Sequence, residues 1–200
     1  MAASLGPSRR ATLRLAAAAG LAALARPALA LGAGSPVIDA AKAGLARLGD
    51  RLTHRDVVGV ADFSRASSEA RLHLVDLASG RVDSMLVAHG RGSDPTHTGW
   101  LMRFSNAPGS DCTSQGVFLT GPYYVGEHGR SMRLIGLDPT NNNAEARAIV
   151  VHSAPYVCPQ ILRAYGVLGR SDGCFAVSAS DISRVLDSLP PGSLLVSAKL

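Results

Sequence analysis

The chain has 200 residues, 46% of them hydrophobic and 18% charged, with a formal net charge of +5, enough for one ordinary hydrophobic core. The charge is unevenly placed. Arg9, Arg10, Arg14 and Arg26 lie in the first thirty residues, which hold no acid, and the rest carries 16 basic against 15 acidic side chains, so there is no basic stripe of the kind nucleic acid requires.

Residues 1–30 read as an export signal. A positive start is followed by an apolar run from Leu15 to Ala25, and Ala28-Leu29-Ala30 supplies a small-x-small cleavage pattern, with cleavage expected after Ala30. Ser8-Arg9-Arg10-Ala11-Thr12-Leu13 resembles a twin-arginine signal, with the general secretion route as the alternative. The apolar run is short and broken by Arg26 and Pro27, so no stable membrane span is expected after removal of the signal. The mature protein would be periplasmic or associated with the cell wall. It would carry three cysteines, an odd number in an oxidising compartment. One partition joins Cys112 to Cys158 and leaves Cys174 free, although sequence does not give the Cα separation such a bond requires.

From Ser35 to Leu52, apolar residues at Val37, Ile38, Ala41, Leu45, Leu48 and Leu52 follow a 3.6-residue stripe, which predicts a helix within a lead-in segment 31–61. From Arg71 the period falls to two, and Ala78-Ser79-Gly80-Arg81 turns the chain into Val82–Ala88, a β-hairpin pattern. His89 to Gly116 is rich in Gly, Ser, Pro and Asp and reads as a long ordered loop. Short strands are expected at Val117–Thr120, Met132–Leu137 and Ala148–His152, with the turn cluster 138–143 between the last two. Ser180 is placed to cap a helix running to Leu189, Pro190-Pro191-Gly192 ends it, and Leu194-Leu195-Val196 forms a final strand. The pattern is that of a strand-rich α+β domain over residues 62–200, without the regular βαβ alternation of a doubly wound sheet.

Two segments carry chemistry. Ile149-Val150-Val151-His152-Ser153-Ala154 places a histidine at the end of an apolar strand, and Ser171-Asp172-Gly173-Cys174 places a cysteine just past a glycine turn, 22 residues later. If the sheet brings them together, His152 can take the thiol proton and hold a thiolate–imidazolium pair, turning a thiol of pKa ~8.5 into a nucleophile. The amides of Gly173 and Cys174 could then donate to an oxyanion on the attacked carbonyl. The bare pair also fits a hydrogen-bonded structural histidine and a small buried cysteine.

These segments resemble the catalytic domain of the L,D-transpeptidase family (YkuD-like), whose signature is a strand ending in His-Ser-Ala, a loop, and then Ser-His-Gly-Cys. The matching residues are His152, Ser153 and Ala154, then Ser171, Gly173 and Cys174. His89-Gly90-Arg91-Gly92-Ser93, Gly116–Thr120, Tyr124–Leu137 and Gly169-Arg170-Ser171 resemble the murein L,D-transpeptidase branch, and the likeness runs from about Asp62 to Val196. Asp172 stands where many members have a second histidine, and Phe175-Ala176 departs from the usual continuation. Asp172 does not relay a proton at neutral pH, so base duty falls on His152 alone. The resemblance implies a mixed β-sheet or β-sandwich core with flanking short helices and no metal or organic cofactor. Its implied substrates are peptidoglycan stem peptides. Cys174 would form a thioester at the third residue of a tetrapeptide stem, expelling D-Ala and giving a 3→3 cross-link. The alternatives are transfer to water, as in an L,D-carboxypeptidase, and a silent wall-binding module of the same fold. By the resemblance, the backbone carbonyl of Ser153 orients His152, and His128, Arg133, Ser171 and Asp172 are candidate substrate contacts, Arg133 through a stem carboxylate.

Other patterns are weaker. Gly169-Arg170-Ser171-Asp172-Gly173 matches a serine-hydrolase elbow, but that fold needs its histidine after the serine, and all six histidines precede Ser171. His89, His97 and His128 lack metal-ligand spacing, and without a C-x-x-C a redox role is disfavoured.

Overall fold

The computed structural model describes Met1, residues 29–30 and residues 34–200. The reading of residues 1–30 as an export signal thus falls almost wholly outside the described residues. Among those described, no helix is long and apolar enough to cross a membrane.

Among the described residues, nine strands form one mixed sheet: β1 (Leu29–Ala30), β2 (Val57–Asp62), β3 (Leu72–Asp76), β4 (Arg81–Met85), β5 (Gly116–Gly126), β6 (Gly129–Gly136), β7 (Val150–Ser153), β8 (Phe175–Val177) and β9 (Leu194–Ala198). Their spatial order is β1-β4-β3-β2-β9-β5-β6-β7-β8. The β2–β9 and β7–β8 pairs are parallel, and the other pairs are antiparallel. The sheet curls on itself, because Ala88, just beyond β4, bridges to Ala176 of the far edge strand β8. This rolled α+β architecture agrees with the expected strand-rich fold.

Strand alternation sorts the side chains into an inner and an outer layer. Ala61, Leu72, Leu74, Phe118, Leu134, Val151, Phe175, Val177 and Leu195 meet inside the roll. Helix α3 (Ile182–Ser188) contributes Val185 and Leu186 to the same core. On the outer face, α1 (Pro36–Leu48) lays Val37, Ile38, Ala41 and Leu48 over Val58, Val60, Val75, Leu194 and Val196. Pro36 suits the first turn of α1, and Gly49 ends it at φ +50°. β2 (Val57–Asp62) crosses the boundary drawn at residues 61/62, and α1 packs against the sheet that β2 belongs to. A third cluster of Ala88, Ala154, Val157, Leu168 and Ala176 backs the outer face of β7 and β8, beside α2 (Pro159–Tyr165).

Several local expectations shift. β5 runs to Gly126 because Gly121-Pro122 sits at a register break between Thr120 and Tyr123 and bends the strand without ending it. Asp181, not Ser180, occupies the cap position of α3, while the Ser178 hydroxyl bonds both the Asp181 amide and its carboxylate. The disulfide expectation is corrected. Cys112, Cys158 and Cys174 are all free thiols. Cys112 is fully buried beneath Gly92, whereas Cys158 is half-buried at the start of α2.

Candidate active site

Parallel pairing of β7 with β8 sets His152 opposite Ala176, one residue beyond the Val151–Phe175 pair. Because Val151 and Phe175 point inward, the alternating positions His152 and Cys174 share the outer face. There they line one cleft of about 570 Å³, together with Tyr124, His128, Arg147, Tyr156 and Asp172. The β5–β6 hairpin turn, the segment entering β7 and the cysteine turn form its walls.

The cysteine turn is held by backbone. The Ser171 amide donates to the His89 carbonyl at 3.0 Å, and the Arg91 amide donates to the Ser171 carbonyl at 2.7 Å. The Ser171 hydroxyl donates to the Cys174 carbonyl at 2.7 Å and accepts from the Gly173 amide at 3.2 Å. Ser171 is therefore employed inside the turn, and the Gly173 amide already has an acceptor, long enough for an oxyanion to compete with it. Gly173 has φ +117°, and a Cβ there would stand 2.7 Å from the Cys112 carbonyl oxygen. A Cβ on Gly90 would meet the Gly173 Cα and amide nitrogen at 2.8 Å. Two glycine backbones thus touch directly beneath Cys174, and a side chain on either would displace the turn.

His152 is buried, and its Nδ1–H donates to the Ser153 carbonyl at 2.9 Å, which leaves Nε2 as the acceptor nitrogen. No described residue hydrogen-bonds Nε2. Burial lowers the pKa of His152; the Ser153 carbonyl opposes that shift and the neighbouring His128 adds to it. The Cys174 thiol donates to the Ala148 carbonyl with an S···O distance of 3.6 Å. Burial raises its pKa, partly offset by a hydrogen bond with the Val150 backbone and by the Arg147 charge. Both shifts favour the neutral pair, thiol and imidazole, over the thiolate–imidazolium pair expected from sequence. The cause is common to both: low-dielectric surroundings penalise either charge.

The other candidates separate. His128, at the hairpin tip, stacks on His152 with ring centroids 4.2 Å apart. Asp172 is exposed, 3.3 Å from the Arg91 guanidinium. Arg133 is exposed and lies over the Tyr124 ring at 4.7 Å, one residue removed from the cleft wall. Sequence reasoning missed Arg147. Its guanidinium donates to the Ser105 carbonyl (2.9 Å), the Ser114 hydroxyl (2.6 Å) and the Cys112 carbonyl (2.5 Å), with no carboxylate in ion-pair contact among the described residues. Nothing in the local pattern Asn143–Ala148 marked it, because its partners lie more than thirty residues away.

Of the remaining histidines, His54 is exposed, and His73, His89 and His97 have structural partners. His97 Nε2 pairs with the Leu168 carbonyl at 2.8 Å, and His89 is enclosed by Arg71 and Asp94. Among the described residues, no group of three or more His, Cys, Asp or Glu is placed to hold a metal ion.

The family model of an L,D-transpeptidase catalytic domain matches residues 33–197. Among solved structures, an L,D-transpeptidase from Mycobacterium tuberculosis H37Rv is 18% identical over 71% of this chain and 57% of its own, with a TM-score of 0.45. An L,D-transpeptidase from Xylanimonas cellulosilytica is 18% identical over 70% and 59%, with a TM-score of 0.43. The helical cell shape determining protein Pgp2 from Campylobacter jejuni is 12% identical over 82% and 57%, with a TM-score of 0.46. The chain spans 57% to 59% of the length of these three proteins. No curated protein matches it.

Proposed function

The chain belongs to the L,D-transpeptidase catalytic domain family, and from that premise we propose that it is a cysteine acyltransferase of peptidoglycan stem peptides, acting outside the cytoplasm after export on residues 1–30. The observation that carries this reading is the placement of Cys174 and His152 on the outward face of two adjacent parallel strands, in one cleft.

The chemistry follows from the neutral resting pair. As the Cys174 sulfur attacks the carbonyl carbon of the third stem residue, its proton passes to Nε2 of His152, so charge appears only as the new C–S bond forms. The Ser153 carbonyl, bonded to Nδ1–H, stabilises the imidazolium and fixes the ring. Amides of the Gly173–Cys174 turn and the nearby Arg147 cation oppose the developing oxyanion. Collapse breaks the C–N bond, and the leaving amine of D-Ala takes the proton from His152. An amine of a second stem then attacks the thioester, loses its proton to His152, and releases the Cys174 thiol with a 3→3 linked product. Asp172 and Arg133, at the cleft and its margin, are the candidate contacts for the stem's charged groups.

Incubation with a disaccharide-tetrapeptide tests the reading. Cross-linked dimer supports transpeptidation, and free tripeptide identifies water as the acceptor. Absence of both, across stems differing at the third residue, would favour a silent wall-binding module.

A further inference from the structure

The motif match leaves the base without a second imidazole, because Asp172 occupies the position before Gly173. The fold supplies one from elsewhere. Glu127 and His128 form the two-residue turn between the paired Gly126 and Gly129 at the tip of the β5–β6 hairpin. The His128 ring lies nearly parallel to that of His152, at 22° and a centroid separation of 4.2 Å. The contact is clasped from behind: the Ser153 hydroxyl donates to the His128 carbonyl at 3.2 Å, while the Ser153 carbonyl takes the Nδ1–H of His152. On its open side, His128 Nε2 is 3.1 Å from Glu127 Oε1.

We propose that His128 is a positioning residue for His152, fixing its ring plane by stacking and disfavouring a second proton on the stacked pair. This rests on the reading of His152 as the base of Cys174. Two imidazolium rings face to face repel strongly, so the pair takes up its second proton reluctantly. His152 is the buried ring of the two: burial lowers its pKa, the Ser153 carbonyl opposes that shift, His128 adds to it, and Glu127 opposes it from the exposed side. The other ionisable groups lining the same cleft are Tyr124 from β5, Tyr156 beyond β7, Arg147 before it, and Arg170, Asp172 and Cys174 from the cysteine turn.

The test needs no stem peptide, so it stands or falls separately from the substrate assignment. Ring nitrogens of His152 are titrated by NMR in wild type, His128→Phe and His128→Ala. His128→Phe keeps an aromatic ring over His152 and removes only the titratable nitrogens. Its His152 midpoint should rise by about half to one unit with Nδ1–H retained. In His128→Ala, loss of the stack should in addition produce a mixture of tautomers. A midpoint in His128→Phe that is unchanged or lower overturns the electrostatic role, and a single Nδ1–H tautomer in His128→Ala overturns the positioning role.

Discussion

His89 and His152 are both almost fully enclosed, at 1% and 3% exposure, and both flank the cysteine turn. Burial therefore does not distinguish them; their partners do. His89 Nδ1 accepts from Arg71 at 2.8 Å, and its Nε2 lies 3.4 Å from Asp94 Oδ2, near enough for attraction but misaligned for a hydrogen bond. Arg71 is wholly buried and also donates to the Val87 and Arg65 carbonyls. Asp94 in turn accepts from the Thr98 and Gly99 amides. Every direction around His89 is filled by the protein, so it can only hold the loop that carries the Ser171 bonds. His152 spends one nitrogen on Ser153 and turns the other to the cleft. Both rings leave Nε2 without a hydrogen bond, but that of His89, a strut, is sealed against Asp94, whereas His152 lines the cleft, as the proposed base must.

That contrast can be broken by substitution. The largest effect is expected for His152→Gln, which should lower acyl transfer by about 10² to 10⁴-fold while leaving the unfolding midpoint close to wild type. Arg71→Met should do the reverse. Removing one partner from a buried charge network costs on the order of 3–5 kcal/mol, seen as a large drop in denaturation midpoint with activity per folded molecule largely kept. A strong activity loss without destabilisation would place Arg71 in the chemistry instead.

Acid should expose the strut as well. Burial, reinforced by Arg71, holds the His89 pKa at about 4, and burial holds His73 at about 4, against 6.5 for a free histidine. The folded state therefore excludes protons that the unfolded chain binds. The resulting stability is fully present above pH 6.5 and is lost as pH falls through about 4, on the order of 3 kcal/mol per residue. Denaturant titrations between pH 7 and 4 should show this slope, and His89→Phe should flatten it. The smallest effect concerns Arg147, whose charge lowers the Cys174 pKa. Arg147→Met should slow alkylation of Cys174 at neutral pH by roughly three- to tenfold, and Arg147→Lys should restore part of that rate.

The contrast also explains what was legible in the sequence. The α1 stripe, the β3–β4 hairpin and α3 stand out because their patterns are local. β2 and β8 were missed: β2 is apolar on both faces, with Val58 and Val60 under α1 and Ala61 in the inner core, so it lacks alternation. β8 is three residues long and exists only through pairing with β7. At the site, the motif resemblance named Cys174, His152 and Ser153; the first two line one cleft and the Ser153 carbonyl accepts from the His152 ring, while their roles rest on the proposed function. The His128 stack, the Arg147 cation and the employment of Ser171 inside the turn arise from contacts across 24 or more residues or from turn geometry, which no spacing encodes. The Cys112–Cys158 expectation failed for the same reason, since counting thiols says nothing of where they lie.

The central claim is that the open nitrogen of His152 serves the sulfur of Cys174. Intact-mass analysis of the protein incubated with a tetrapeptide stem tests it most directly. The account predicts a covalent adduct of the tripeptide acyl group on wild type, absent in Cys174→Ala and formed at least a hundredfold more slowly in His152→Gln. An adduct that persists in Cys174→Ala, or forms at the wild-type rate in His152→Gln, would contradict it.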